Sequence, residues 1–239
     1  MPHPFAGLCS DLVLVERDVL RNIKGIFESQ NLFDDLADHE FDFQAAVEAS
    51  SLGGAKGASP LITRPFDYGS VISYSFDASN WQATRFSDGK AYGVWYGSLE
   101  LETTIHETVY HWRRFVLDSY PDLDREITGE RRVFTVACSG LLIDLVGKEA
   151  AHPELVSRAS YGFCQALGAF LVEQGQNGLQ VQSARHDGVN VAVFRPERLS
   201  NVRDHCYLVY TMRPTGDAVR IERRSSSPMT WTVSAHSLG

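Results

Sequence analysis

The sequence predicts an α+β fold built on a mixed sheet, with a helical N-terminal extension. Three observations carry that expectation. Strand-like runs and helix-like runs are interleaved without the strict strand–helix alternation of a parallel sheet. No segment repeats. A run of linker composition, Ser50-Ser51-Leu52-Gly53-Gly54-Ala55-Lys56-Gly57-Ala58-Ser59-Pro60, divides the chain into residues 1–60, a helical extension and linker, and residues 61–239, the main domain with its C-terminal strands.

Taken in order, Leu12, Val15, Val19, Leu20, Ile23 and Phe27 recur at helical spacing after Ser10, a residue suited to an N-cap, and predict an amphipathic helix. A second helix fits Phe41 to Ala49. The first sixty residues hold ten acids against four bases, which suits a solvated helical face or a docking surface for a basic partner. Val71 to Phe76 alternates like a strand, and Gly93-Val94-Trp95-Tyr96-Gly97 is a compact aromatic strand. Ile105, Val109, Trp112 and Val116 repeat at three and four ahead of Pro121 and predict a helix. Val133 to Ala137 and Leu141 to Leu145 read as strands. Tyr161 to Gln174 reads as a buried helix closed by Gly175. A strand with Leu179 and Val181 follows; Asp187-Gly188 then turns into the apolar run Val189 to Phe194, and further strands fit Tyr207 to Met212 and Val219 to Glu222.

Composition narrows the function classes. With 239 residues, 44% of them hydrophobic and 22% charged, the chain is neither disordered, collagen-like nor a coiled coil. A net charge of −8 disfavours a surface that coats nucleic acid, although a few arginines can still hold a local anion. Cys9, Cys138, Cys164 and Cys206 form no Cys-x-x-Cys pair and read as reduced thiols. With no secretory signal and no membrane-length apolar run, a cytoplasmic location is expected.

Local patterns exclude several chemistries. His106 and His111 are five residues apart, about 140° around a helix, so they cannot chelate one zinc ion as a His-Glu-x-x-His pair does, and no metal is expected. Lys56 precedes Gly57 and the run ends in Pro60, which does not match a phosphate-binding P-loop. Glu107 lies opposite the core stripe of its helix, where it is either solvated or lines a cleft.

An ordered set of short pieces then changes the weight on Glu107. These are Thr63-Arg64, the segment Ala83 to Gly89 with Arg85 and Phe86, the strand Val94-Trp95-Tyr96-Gly97-Ser98, the helix Thr103-Thr104-Ile105-His106-Glu107, and Gln182-Ser183-Ala184-Arg185 followed by Gly188 to Phe194. In order and spacing they resemble the RES-domain family, toxins of bacterial toxin–antitoxin pairs named for an arginine, a glutamate and a serine. Thr84 stands where the family has Gly, and Ser87-Asp88 where it has Asn-Pro. Some members place the serine ahead of the Cys-Gln helix, where this chain has Ser160.

The resemblance implies an ADP-ribosyltransferase-like fold and consumption of NAD, as substrate, by cleavage of its nicotinamide–ribose bond. It implies Glu107 as the carboxylate that stabilises the ribosyl cation and Arg64 and Arg85 as pyrophosphate anchors. Tyr96 would be an aromatic face for nicotinamide, and Ser183 a hydroxyl on the amide or ribose. A cognate antitoxin is the implied partner. Water or phosphate as acceptor makes a glycohydrolase or phosphorylase; a protein acceptor makes a mono-ADP-ribosyltransferase. Ile105, two positions before Glu107, is not the second acidic or amide residue that transferases often carry. A non-enzymatic protein-binding module is the third reading.

Overall fold

The computed structural model describes residues 4–25, 67–224 and 228–234, which fall in one unit. Arg64, the helix expected over Phe41 to Ala49 and the Ser50–Pro60 run lie outside the described residues. The architecture is α+β, as the sequence predicts. Eight strands, β1 (Leu12–Lys24), β2 (Trp95–Ser98), β3 (Ile127–Asp144), β4 (Gly178–Gln182), β5 (Val189–Val193), β6 (Leu199–Met212), β7 (Ala218–Arg224) and β8 (Met229–Ser234), form one mixed sheet. Among the described residues three α-helices accompany it, α1 (Ser70–Ser73), α2 (Leu101–Ser119) and α3 (Gly162–Glu173).

The strand order is β1-β2-β5-β4-β3-β6-β7-β8, and β1 also pairs with β3. That extra pairing is antiparallel and runs from Leu12↔Ile143 to Lys24↔Arg131, so β1, β2, β5, β4 and β3 close into a circuit. The β3–β4 contact is parallel; every other pairing is antiparallel.

The helix expected from Leu12 to Phe27 is instead strand β1 over residues 12–24. Val15, Val19 and Ile23 are four apart, and four is close to one helical turn but also twice the strand repeat. Here Val13, Val15, Val19 and Ile23 pack on one side with Trp95, Phe134 and Val136, while Leu20 joins a different cluster with Ile105 and Tyr210. β-branched residues and a long partner strand decide in favour of the extended form.

Val71 to Phe76, expected as a strand, forms α1 and a following 3₁₀ turn. Asp67 nucleates it: its carboxylate accepts from the Gly69 amide and its carbonyl from the Ser70 hydroxyl. The two strands expected over 133–145 are one strand of 18 residues, held continuous by β1 along one edge. Strand β8 pairs with β7 and is an element that the sequence reading did not anticipate.

Helix α2 packs Ile105, Val109 and Val116 against Leu20, Val133, Leu208 and Tyr210. Each such fully buried side chain stabilises the seating of the helix by about 1.5–3 kcal/mol. Helix α3 buries Cys164, Leu167, Gly168 and Leu171, and ends at Gly175 with φ +71°. A Cβ at Gly168 would lie 2.1 Å from the Phe86 carbonyl, so only glycine lets α3 approach the segment carrying Arg85 this closely. All four cysteines are free thiols, three of them buried.

Candidate active site

The face of α2 opposite its core stripe is covered by the hairpin that joins β4 to β5. The Ser183 amide donates to the Gly188 carbonyl at 2.7 Å, closing a loop over residues 183–188. The loop lies along Glu100, Thr103, Glu107 and Tyr110, which recur at three and four and so share one side of the helix.

Glu107 is the centre of these contacts. Its Oε1 accepts from Ser183 Oγ at 2.6 Å and from Asn190 Nδ2 at 2.8 Å, and its Oε2 accepts from Arg185 Nη1 at 3.1 Å. The Glu107 side chain remains 21% exposed, whereas that of Arg185 is 1% exposed. The buried guanidinium also lies 3.7 Å from the ring centre of Tyr110. It is thus held by a carboxylate and by an aromatic face, which offset its loss of hydration.

Asn190 is oriented from behind. Ser98, its cross-strand partner in the β2–β5 register, donates its hydroxyl to Asn190 Oδ1 at 2.7 Å. With that oxygen occupied, the amide NH₂ is the end that faces Glu107. A buried serine on β2 therefore acts on the glutamate of α2 through one asparagine.

A line of side chains leads away from Glu107. Arg185 Nη2 reaches the Tyr161 hydroxyl at 3.4 Å, and the Arg85 guanidinium lies 4.6 Å from the centre of the Tyr161 ring. Arg85 Nη1 donates to the carbonyls of Leu155 and Ser157 at 3.2 and 2.8 Å. Among the described residues these acceptors are neutral and do not cancel its positive charge, whereas Arg185 is paired with a carboxylate.

The residues singled out from the sequence are placed as follows. Glu107 and Ser183 are in direct contact. Ser160 is exposed and its hydroxyl accepts from the nearby Gly162 amide, so of the two serines it is Ser183 that meets the glutamate. Tyr96 is tied to the segment that carries Arg85 rather than to Glu107: its hydroxyl bonds Thr84 Oγ1 and accepts from the Phe86 amide, both at 2.9 Å. Burial pushes that phenol above its ordinary pKa. Gln165 of α3 donates to the Thr84 and Ser87 carbonyls, bracing the same segment. Arg64 lies outside the described residues.

His106 and His111 flank the site. His106 packs against His186 with ring centres 4.7 Å apart, and His111 meets the edge of Tyr110. Burial holds both imidazoles below their usual pKa; His186 adds to the effect at His106, and Arg185 at His111.

Sequence reasoning did not single out Arg185, Asn190, Tyr161 or Tyr110. A signal was present for one of them: Asn190 is the polar residue in the otherwise apolar strand Val189 to Val193, where even a half-buried amide demands partners.

Among curated proteins, none matches the chain. Among solved structures, the chain is similar to a chain of the crystal structure of the M. tuberculosis MbcT–MbcA toxin–antitoxin complex, with 12% identity over 84% of this chain and 87% of that one, at a TM-score of 0.44. The family model for the RES domain matches residues 61–232, well over half of the 239 residues. The segments that hold Arg85, Glu107, Ser183 and Asn190 all fall within that span, and the chain belongs to the RES domain family.

Proposed function

We propose that this protein is the toxin of a toxin–antitoxin pair and consumes NAD by cleaving the bond between nicotinamide and ribose. The observation that carries the reading is the Glu107 carboxylate, partly open to solvent and held by Ser183, Asn190 and Arg185. Breaking an N-glycosidic bond leaves positive charge on the ribose, and a fixed carboxylate lowers the energy of that state.

The hydrogen-bond inventory indicates which oxygen acts. A carboxylate offers about four lone-pair positions. Oε1 uses two of them on Ser183 and Asn190, while Oε2 uses one on Arg185. Oε2 is therefore the atom with capacity for a ribose hydroxyl. As the bond breaks, its electron pair leaves with the nicotinamide nitrogen, and the acceptor oxygen bonds to the ribose carbon and sheds its proton to solvent. Arg85, stacked on Tyr161 and without a carboxylate partner among the described residues, is suited to the pyrophosphate, with Arg64 as a second anchor. Tyr96 serves by holding the segment that carries Arg85.

Water or phosphate is the acceptor we favour over a protein side chain. Ile105, two residues before Glu107, is 1% exposed and packed into the core, so a second polar group for transfer does not stand there. An enzyme of this kind requires restraint in the cell that makes it, and a cognate antitoxin protein is the proposed partner. The test is incubation of the purified protein with NAD, with and without phosphate and lysate, followed by mass spectrometry. Released nicotinamide with ADP-ribose or its 1″-phosphate supports the reading. Label on one lysate protein with little bulk loss means ADP-ribosyl transfer, and no release from folded, antitoxin-free protein overturns it.

A further inference from the structure

The 183–188 loop presents to α2 not only Ser183 and Arg185 but also His186, which the chemistry above leaves unused. Its Nδ1 lies 3.1 Å from Thr103 Oγ1, and its ring packs at 4.7 Å and 34° on the ring of His106. Thr103 and His106 are three residues apart, so the imidazole spans one turn of α2 immediately ahead of Glu107. Beside it the loop backbone meets the helix: a Cβ at Gly188 would fall 2.0 Å from Thr103 Oγ1, and the Val189 amide donates to Glu100 Oε2 at 3.3 Å. On its inner side, the amides of Arg185 and His186 both donate to Ser183 Oγ, at 3.1 and 3.2 Å.

We propose that His186 is a positioning residue: its ring is the peg that fixes where the 183–188 loop sits along α2, and so sets Ser183 and Arg185 on Glu107. A helix rises about 1.5 Å per residue, so a slip of a single position along α2 breaks a 2.6 Å hydrogen bond between Ser183 and Glu107. Neither the Ser183 nor the Arg185 contact prevents such sliding alone, because each is one side chain reaching one carboxylate. The peg engages Thr103 and His106, three residues apart, with its Nε2 3.8 Å from Glu102 Oε2, and resists displacement in both directions. This inference rests on the reading of Glu107 as the reacting carboxylate.

Three full-length variants test it: His186→Ala removes the peg, His186→Phe keeps the ring contact with His106, and His186→Asn keeps a polar atom for Thr103. In His186→Ala the amide hydrogens of residues 185 and 186, measured by NMR hydrogen exchange, are expected to exchange at least about tenfold faster than in the parent, as the loop opens locally. The kcat for nicotinamide release is expected to fall by about 100-fold, with KM within about threefold, as for a reacting group moved by an ångström. Phe and Asn each restore part of both. Unchanged exchange at residues 185 and 186 in a folded His186→Ala protein overturns the inference, as does unchanged kcat. If the parent releases no nicotinamide, the NAD reading fails, and the exchange rates still decide whether His186 seats the loop.

Discussion

The hydroxyl of Ser183 donates to Glu107 at 2.6 Å and has no bonding capacity left for a ligand, because its oxygen already accepts from the amides of Arg185 and His186. The resemblance to RES domains implied a serine that touches the substrate. With all three positions of the hydroxyl used inside the protein, Ser183→Ala is expected to lower kcat by about 10- to 100-fold while leaving the Kd for NAD nearly unchanged, since one net hydrogen bond to a charged group contributes about 1.5–3 kcal/mol. Calorimetry on the variant checks this, and a large loss of affinity at normal kcat would return Ser183 to the binding surface.

Glu107 and Arg185 couple activity to stability. Glu107→Ala is expected to abolish most turnover and to cost about 3 kcal/mol of stability, because the guanidinium of Arg185 is left buried without its carboxylate. Adding Arg185→Met is expected to recover most of that stability and none of the activity. Denaturant midpoints of the two single variants and the double variant measure the coupling. Strictly additive midpoints would show that the pair is not energetically linked.

For Arg85 the expected loss is in binding. Arg85→Ala should weaken NAD affinity by about 10- to 100-fold, the equivalent of one charge-assisted contact, with a much smaller effect on single-turnover cleavage at saturating NAD. An unchanged Kd by titration calorimetry would assign the pyrophosphate elsewhere.

Ser98 acts at two removes. Ser98→Ala frees the Asn190 oxygen and lets the amide turn, so a drop in kcat of about tenfold is expected with the fold intact, of the size a lost hydrogen bond supports. Asn190→Leu is expected to cost at least as much, and combining the two should add little. Additive losses would mean that Ser98 acts by some other route than Asn190.

Stability should fall on acidification. His106 and His111 have pKa values below the usual 6.5, chiefly through burial, so the unfolded chain takes up protons before the folded one does. Their contribution is fully present above about pH 7, declines as pH drops through about 6.5, and levels off below the folded values. Urea midpoints at several pH values between 7.5 and 5 report the slope, and His111→Phe is expected to flatten it. A slope in both His106→Phe and His111→Phe that is unchanged from the parent's would place the sensitivity on other groups.

Local pattern alone was enough for the elements whose periodicity admits one reading: the helix around Ile105, Val109 and Val116, the helix ended by Gly175, and the turn at Asp187-Gly188 into an apolar strand. The order of the arginine, glutamate and serine segments likewise pointed to the family and to Glu107 as a candidate. Elsewhere contacts between distant elements chose among readings that local pattern leaves open. The spacing Val15, Val19, Ile23 satisfies both a helix and a strand, and only the long pairing with β3 chose between them. Whether Glu107 stands free in solvent or is held in a network depended on Ser183, Arg185 and Asn190, which lie 76 to 83 residues away and reach it through a hairpin end laid across α2. Local pattern reports what a residue does within its own element. The partners of a half-buried carboxylate come from other elements, and their approach depends on packing between those elements, which includes Gly188 against Thr103 and Ser98 against Asn190.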